Sequence, residues 1–507
     1  MKYLIGIDVG TTSARALIIN EHAKPVSEGV AEYPLYTPYP GWAEQHPEDW
    51  LRSVRTAIRI AVQKAKIRKE DIVSIGLTGQ MHSAVFLDKN GKVIRPAILW
   101  CDVRTDRECD EITKRVGLKR LLQITRNIAL PGFTAPKILW LKNNEPEIFR
   151  RIAKVLVTKD YIRLLMTGVF ATDVSDASGT LLLDIGKRDW SPQIVKMLNI
   201  PMEWLPSVFE SPSITGKVSK EGARLFGLCE GVPVVGGGGD QSAGAVGNGI
   251  IKEGDATISL GTSGVVFAPS SVVPKATGGT THAFCHAVPG MWHTMGVMLS
   301  AGGSAQWFRN VVRTGLNLNF SYAHMDMLAE KSPPGAGGVI FLPYLTGERT
   351  PYNDPYARGV FVGISLTTEM KHLARAVLEG VAFGIKDCAS LMENQGVPLK
   401  NIYISGGGAR SNLWCAIVAS VLDKPVMRLD VDEGPAMGAS LLAGVGVGVW
   451  KNVKEVTRTT RKIRDKIKPV KKWVKVYEKV HKNFVELYPS LKNYFRASNS
   501  TKLGKEN

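Results

Sequence analysis

Residues 4–19 read Leu4-Ile-Gly-Ile-Asp-Val-Gly-Thr-Thr-Ser-Ala-Arg-Ala-Leu-Ile-Ile19, an apolar run, a polar turn and a second apolar run. The pattern predicts strands over Tyr3–Val9 and Ala14–Ile19, joined as a hairpin. Residues 256–267 repeat it as Ala256-Thr-Ile-Ser-Leu-Gly-Thr-Ser-Gly-Val-Val-Phe267. Because two copies half a chain apart indicate an internal duplication, we predict two related lobes facing each other across a cleft, with a boundary near Gly249–Gly254.

Outside these hairpins, helical and strand-like patterns alternate, which is typical of the α/β class. Pro47–Lys66 is predicted to be an amphipathic helix, and strands are predicted at Ile72–Leu77 and Ile98–Trp100. A chain of 507 residues has room for two large lobes. The uncharged stretch Gly434–Trp450 is shorter than a bilayer span and rich in glycine, so we interpret it as a buried helix.

The composition is that of a globular protein, with 44% hydrophobic and 22% charged residues. The formal charge is +18, but residues 451–507 hold 17 Lys or Arg against five Asp or Glu. We interpret the stretch Arg458–Trp473 as an exposed helical surface rather than a nucleic-acid site. The N-terminus lacks a signal-peptide pattern and the six cysteines form no Cys-x-x-Cys pair, so we expect a cytoplasmic protein with reduced thiols.

A carboxylate at the end of the first predicted strand precedes a turn of glycine and hydroxyl residues. Glycine lets the backbone approach a phosphate, amides and hydroxyls donate to its oxygens, and Asp8 can hold Mg²⁺ directly or through water. Taken alone, this turn could be an ordinary hairpin turn as easily as a phosphate-binding loop. The second, similar loop at Gly261–Gly264 favours a pair of loops that bind one polyphosphate between two lobes. The candidate contacts are Gly10, Thr11 and Thr12 in the first loop and Gly261 and Thr262 in the second.

Four glycines lead from a predicted strand into an aspartate and a helix of small residues, in the run Val232-Pro-Val-Val-Gly-Gly-Gly-Gly-Asp240. An isolated aspartate there is more often a helix cap. The glycines, however, allow close approach of a ligand, and a carboxylate without neighbouring cations can take a proton from an attacking hydroxyl. We therefore interpret Asp240 as a general base.

Two further loops follow predicted strands. Ser405–Asn412 joins a strand to a helix whose first amides can meet a nucleotide, although its spacing matches neither the dinucleotide fingerprint nor the P-loop. Thr78–Ser83 contains Gln80 and His82, which suit a polyol substrate, with a purely structural histidine as the alternative. Trp100–Arg104 is a second candidate substrate loop.

Taken together, these motifs resemble the FGGY carbohydrate kinase family, within the sugar kinase, actin and Hsp70 superfamily, over residues 3–450. The matching stretches are Gly79–His82, Arg95–Trp100, Pro131–Lys137, Asp176–Thr180, Gly237–Asp240, Gly359–Asp387 and Ser405–Asn412.

The resemblance implies two RNase H-like α/β domains flanking a cleft. Residues 1–250 would bind sugar and phosphate, residues 251–450 the nucleotide, and residues 451–507 would form a basic, partly helical segment. ATP and Mg²⁺ are the implied cofactors, and the 5-hydroxyl of the ketose D-xylulose is the expected acceptor. The implied roles are a catalytic base for Asp240, a place near the metal for Asp8, sugar contacts for Met81, His82 and Gln241, and nucleotide contacts for Gly407, Gly408, Asn412 and Trp307.

Alternatives stay open at this point. A kinase of ribulose or glycerol would share the fold, and an actin-like or Hsp70-like ATPase would use the same hairpins without a sugar. Ser83 and Cys101 stand where the family usually has Gly and Asn, changes that would reshape the sugar pocket, and Gln241 stands where the family usually has Asn. The expected partners are the sugar and ATP, with a homodimer left open and neither a membrane nor nucleic acid involved.

Overall fold

Two seven-stranded sheets, one from each half of the chain, organise the molecule. The computed structural model describes residues 1–276, 278–315, 319–429 and 434–500. The strands are β1 (Tyr3–Val9), β2 (Ser13–Asn20), β3 (Pro25–Glu32), β4 (Glu44–Gln45), β5 (Ile72–Gly79), β6 (Val85–Leu87), β7 (Ala97–Ile98), β8 (Lys154–Leu156), β9 (Ala171–Asp173), β10 (Leu183–Asp184), β11 (Asp189–Trp190), β12 (Ser207–Phe209), β13 (Ile214–Lys217), β14 (Pro233–Val235), β15 (Gly238–Gly239), β16 (Gly254–Leu260), β17 (Gly264–Ser270), β18 (His282–Cys285), β19 (Trp292–Met298), β20 (Ile340–Leu342), β21 (Val360–Val362), β22 (Leu399–Ser405), β23 (Val426–Leu429) and β24 (Ile463–Ile467).

The helices lie mostly between these strands. They are α1 (Pro47–Ala65), α2 (Asp106–Val116), α3 (Leu118–Thr125), α4 (Thr134–Asn144), α5 (Pro146–Phe149), α6 (Thr158–Thr167), α7 (Val174–Ala177), α8 (Pro192–Met197), α9 (Lys220–Phe226), α10 (Asp240–Gly247), α11 (Gly302–Gly315), α12 (Tyr322–Glu330), α13 (Met370–Asn394), α14 (Asn412–Leu422), α15 (Gly434–Gly446), α16 (Val453–Thr460) and α17 (Lys471–Ser500).

The two sheets share one arrangement. The first has the order β13-β14-β5-β1-β2-β3, with β15 also on β5, and its strand β1 is antiparallel to β2 and parallel to β5. The second has the order β18-β19-β17-β16-β22-β23-β24, and its strand β16 is antiparallel to β17 and parallel to β22. Both predicted hairpins, the α/β class and the pair of repeated lobes are therefore confirmed. The predicted strand at Ile98–Trp100 is shorter, ending at Ile98 in β7.

Helix α15 couples the halves, because it comes from the second half of the chain and packs on the first sheet. A Cβ at Gly6 would lie 1.9 Å from the carbonyl oxygen of Ala436, and one at Gly76 would lie 1.9 Å from that of Ala439. Only glycine in β1 and β5 lets the helix backbone come this close. The uncharged stretch Gly434–Trp450 is thus a buried helix as predicted, ending at Gly446.

The basic C-terminal segment belongs to the second lobe as far as it is described. Strand β24 pairs antiparallel with β23, and α17 packs on α13 and α14. The aromatic residues Tyr477, Phe484 and Phe495 of α17 are at most 1% exposed and join the core around α13. Their burial makes α17 part of the fold, while residues 501–507 lie outside the described residues.

The prediction of one exposed helical surface over Arg458–Trp473 was wrong. Helix α16 ends at Thr460, and β24 follows as the edge strand of the sheet. Asp465 of this strand lies 2.6 Å from Arg428 of β23, an ion pair that helps to hold the edge strand in place.

None of the described helices is long and apolar enough to cross a membrane. The six cysteines carry free thiols, and four of them are buried, namely Cys109, Cys285, Cys388 and Cys415.

Candidate active site

The loop between β1 and β2 is the first of the two candidate phosphate loops. The Tyr33 hydroxyl donates to the carbonyl oxygen of Gly10 at 2.5 Å, and Trp100 Nε1 donates to Thr11 Oγ1 at 3.0 Å. Thr12 is exposed at the tip of the loop. The loop is thus braced from both sides, which keeps its amides and hydroxyls in fixed positions.

Three strands of the first sheet end side by side where the predicted site residues begin. Val9 of β1 pairs with Gly79 of β5, and Gly79 pairs with Gly239 of β15. Asp240 therefore leaves the sheet at the same edge as the phosphate loop that follows Asp8. Ligands of open α/β sheets commonly bind outside the carboxyl ends of parallel strands.

Asp8 and Asp240 influence each other electrostatically across this edge. Burial, and secondarily the charge of Asp240, raises the pKa of Asp8 to about 7, while Arg15 opposes the shift. Burial also raises the pKa of Asp240 to about 6, opposed by hydrogen bonding from Gln241. The Gln241 amide donates to Asp240 Oδ1 at 2.7 Å, which leaves the other oxygen for a substrate. Gln241 itself is exposed.

Asp8 has the features expected of a residue that meets a cation. Its Oδ1 is buried and has no hydrogen-bond partner among the described residues. An uncompensated carboxylate costs free energy that a bound cation would offset. The described residues hold no group of three or more His, Cys, Asp or Glu that could bind a metal by themselves. A single carboxylate such as Asp8 suits Mg²⁺, which commonly takes one or two carboxylates together with phosphate and water.

Met81 and His82 form the wall beside Asp240. A Cβ at Gly239 would lie 2.7 Å from Met81 Cγ, so the glycine allows Met81 to pack against the residue before Asp240. His82 Nδ1 lies 2.7 Å from the carbonyl oxygen of Gly179 and therefore carries the proton, which leaves Nε2 as an acceptor. Burial lowers the pKa of His82 to about 3, so its ring is neutral.

The backbone of His82 is held in the left-handed region, with φ of 69°. Its carbonyl oxygen accepts from Thr134 Oγ1 at 3.0 Å and from Lys137 Nζ at 2.8 Å. Lys137 is fully buried, and burial lowers the pKa of its amine to about 7. These two donors stabilise a conformation that is otherwise unfavourable for a residue with a side chain.

A buried ionic network lies beneath the start of α10. Lys159 Nζ lies 2.6 Å from Asp160 Oδ1 and 2.9 Å from Asp173 Oδ1. The hydroxyl of Ser175 donates to Asp173 at 2.5 Å and accepts the Gly239 amide at 3.0 Å. The network thereby fixes the residue immediately before Asp240.

The second phosphate loop borders a cavity of about 570 Å³ in the second lobe. Gly261 and Thr262 line it together with Gly407 and Gly408, which follow β22. A Cβ added to Gly407 would meet no atom within 4 Å, so its Cα hydrogens face open space. The structure thus brings the second hairpin loop and the third glycine cluster together.

Two predicted nucleotide residues stand slightly apart from this cavity. Trp307 follows Ala305 and Gln306, which line it, but its own ring stacks on Phe341 with centroids 5.8 Å apart. Asn412 is the first residue of α14 and lies beside Ser411, which does line the cavity.

Sequence reasoning missed several polar groups around the site. Lys137, at the end of the matching stretch Pro131–Lys137, and Lys159 were assigned no role from sequence, and their full burial becomes visible only in the structure. Asp326 of α12 lines the cavity in the second lobe, and burial raises its pKa. The charge of Arg349, in the turn Gly347-Glu-Arg-Thr-Pro351, helps to lower the pKa of His82, after the larger effect of burial. That clustering of Gly, Pro and charged residues outside any helix was a signal available in the sequence.

The chain is similar to known proteins over most of its length. The N-terminal domain of the FGGY family of carbohydrate kinases matches residues 3–247, and its C-terminal domain matches residues 256–447. The xylulose kinase of Lactococcus lactis is 41% identical over 96% of this chain and 97% of its own length, and that of Escherichia coli is 41% identical over 89% and 92%. A crystal structure of a xyloylose kinase from Brucella ovis superposes with a TM-score of 0.91 at 37% identity, covering 97% of this chain and all of the other. The chain therefore belongs to the FGGY family of carbohydrate kinases, which use ATP as the phosphoryl donor.

Proposed function

We propose that the chain phosphorylates the 5-hydroxyl of D-xylulose, with Asp240 as the general base. The observation that carries this proposal is the position of Asp240, at the strand edge beside Asp8 and Met81, with one carboxylate oxygen left for a substrate. The xylulose kinases of Lactococcus lactis and Escherichia coli, which match nearly the whole chain, support the choice of ketose. Kinases of ribulose or glycerol remain alternatives for the substrate assay to decide.

The proposed chemistry is a single in-line displacement. The O5–H bond of the sugar breaks as its proton passes to Asp240, O5 bonds to the γ-phosphorus, and the bond from that phosphorus to the bridging oxygen breaks to release ADP. A base with a pKa of about 6 is mostly ionised at neutral pH and still basic enough to accept this proton. Positioning and charge neutralisation supply most of the remaining rate enhancement.

The nucleotide roles follow the two hairpin loops. Gly10, Thr11 and Thr12 would donate to the phosphates from the first lobe, and Gly261 and Thr262 from the second. Gly407, Gly408, Asn412 and Trp307 would bind the adenosine. Asp8 would hold Mg²⁺, directly or through water, and the ion when bound neutralises charge on the phosphates.

The sugar roles fall to Met81, His82 and Gln241. His82 Nε2 would accept a hydrogen bond from a sugar hydroxyl, because Nδ1 carries the proton and donates to the carbonyl oxygen of Gly179. We retain the division into a sugar and phosphate domain (1–250), a nucleotide domain (251–450) and a basic segment (451–507) as part of the proposal. The cytoplasmic location and the homodimer also stay predictions.

A coupled assay of ADP release over pentuloses, hexuloses and glycerol tests the proposal. We expect ADP release to depend on an added ketose, with D-xylulose giving the highest kcat/KM. ATP consumption that does not rise with any sugar would contradict the proposal, and a preference for glycerol or ribulose would replace the substrate.

A further inference from the structure

Lys137 of α4 carries a buried amine that the proposed reaction does not use. Its side chain is fully buried, and its Nζ donates to the carbonyl oxygen of His82 at 2.8 Å and to that of Gly132 at 2.7 Å. Removing an amine from water costs free energy, and an apolar side chain of similar length would fill the same space without that cost. The two hydrogen bonds therefore distinguish Lys137 from an ordinary core residue.

The first of these bonds holds the backbone of His82 in an uncommon conformation. His82 has a φ of 69°, in the left-handed region that residues with a side chain rarely adopt. Its carbonyl oxygen accepts from Lys137 Nζ at 2.8 Å and from Thr134 Oγ1 at 3.0 Å, and both donors lie in the first turn of α4. Because the peptide group is planar, holding this oxygen fixes the peptide that follows His82 and limits the direction of its side chain.

The ring of His82 is held as well. Nδ1 lies 2.7 Å from the carbonyl oxygen of Gly179, and a Cβ at Gly179 would lie 2.6 Å from the same nitrogen. A residue with a side chain at position 179 would therefore displace the ring. With the backbone and Nδ1 both held, the position of Nε2 is set by the protein before any ligand binds.

The second bond of the amine connects the His82 loop with the first phosphate loop. Gly132 packs closely on Trp100, because a Cβ at Gly132 would lie 2.6 Å from the carbonyl oxygen of Trp100. Trp100 Nε1 in turn donates to Thr11 Oγ1 at 3.0 Å. Lys137 thus links the loop that carries His82 with the loop that braces the phosphate contacts.

We propose that Lys137 is a positioning residue for the sugar, which holds the His82 loop so that Nε2 of the imidazole accepts a hydrogen bond from a substrate hydroxyl. The inference rests on the proposed function and adds to it a residue that does not touch the substrate. An acceptor that is already in place binds more tightly, because no free energy is lost in ordering it. Without the amine, two buried carbonyl oxygens lose a donor and the left-handed backbone of His82 loses one of its two supports.

The test compares Lys137→Met, Thr134→Val and Lys154→Met in the coupled assay. Met fills the space of the lysine side chain without a donor, and Thr134→Val removes the other donor to the His82 carbonyl oxygen. Lys154→Met is the matched control, because Lys154 Nζ also donates to a backbone carbonyl, that of Glu203 at 2.6 Å, but lies in β8 outside the site.

The KM for D-xylulose should rise by about 10- to 100-fold in Lys137→Met, because a buried acceptor left without its donor is costly. The rise should be smaller in Thr134→Val and absent in Lys154→Met, and the KM for ATP should change little in all three variants. Equal increases in the KM for D-xylulose and for ATP, or an unchanged KM for D-xylulose in Lys137→Met, overturn the inference.

A double-mutant cycle with His82→Ala separates positioning from a purely structural role. If Lys137 acts through the imidazole, Lys137→Met should raise the KM for D-xylulose by no more than about twofold once His82 is Ala. The same rise in both backgrounds overturns the inference. If Lys137→Met does not fold, Thr134→Val decides in the same cycle, and either no rise or a rise that persists with His82→Ala is then the contrary result. A wild-type enzyme that phosphorylates no ketose refutes the proposed function instead, so the two failures are distinguishable.

Discussion

Replacing Asp240 by Asn should make the protein more stable and far less active. Asn keeps the shape of the side chain and still accepts the hydrogen bond from the backbone amide of Gln241, but it neither takes a proton nor carries a charge. The folded-state pKa of about 6 lies above the ordinary value of 3.8, so the folded protein binds this proton more tightly than the unfolded chain does. Ionisation of Asp240 therefore costs stability, fully above pH 6 and not at all well below pH 3.8.

The size of the effect follows from that shift. A difference of about two pKa units corresponds to about 3 kcal/mol, and partial exposure of the side chain reduces the expected gain to about 1–3 kcal/mol at pH 8. The melting temperature should then rise by a few degrees at pH 8, with the difference shrinking towards pH 4. The kcat of Asp240→Asn should be lower than that of the wild type by a factor of roughly 10² to 10⁴, the usual contribution of a general base.

Thermal unfolding at pH 8 and pH 4 and the coupled assay measure both quantities. Asp106→Asn is the matched control, because Asp106 is also the first residue of a helix but is exposed. It should lose only about 0.3–1 kcal/mol from the helix dipole and keep its activity. Near-wild-type turnover in Asp240→Asn, or a lower melting temperature at pH 8, would refute the assignment of Asp240 as a general base with a raised pKa.

Four other predictions concern the rest of the molecule. Gly407→Val should raise KM for ATP about tenfold or more without loss of stability, because its side chain meets open cavity rather than protein; unchanged nucleotide kinetics would remove Gly407 from the site. The pH profile of kcat/KM for the sugar should fall as pH drops through about 6, where Asp240 gains its proton, and a flat profile down to pH 5 would contradict this. His293→Phe should lose less stability than the wild type between pH 7 and pH 5, by up to about 2 kcal/mol. Burial lowers the pKa of His293, so protonation below the unfolded value of 6.5 favours the unfolded chain; acid denaturation monitored by circular dichroism measures this difference, and equal losses in the two proteins would contradict it. Tyr477→Phe should destabilise the protein by about 1–3 kcal/mol in thermal unfolding, because its hydroxyl accepts from Arg375 at 2.7 Å and donates to Glu379 at 2.8 Å in the core; no change would mean that α17 contributes little.

The central strands and their loops could be predicted from sequence because local patterns specify them. An apolar run, a Gly-Thr turn and a second apolar run give β1–β2 and β16–β17, and the four glycines before Asp240 indicate a tight passage from strand to helix. These patterns depend on residues that are neighbours in the chain, so they can be recognised without knowing which distant residues pack against them.

The remaining features depend on contacts between distant residues. Helix α15 crosses to the first sheet because Gly6 and Gly76 leave room for its backbone, and no pattern within α15 reveals that destination. Likewise, the sequence does not show that Tyr488 supports the loop of Arg349 more than a hundred residues earlier. The charge of the C-terminal segment suggested an exposed helix, whereas its aromatic residues, spaced for one buried helical face, decide its position.

A crystal structure with D-xylulose and a non-hydrolysable ATP analogue tests the central claim most directly. The sugar should place its 5-hydroxyl within hydrogen-bonding distance of the free Asp240 oxygen, with the adenosine in the cavity beside Gly407. A sugar bound with a different hydroxyl at Asp240, or a nucleotide outside that cavity, would contradict the account.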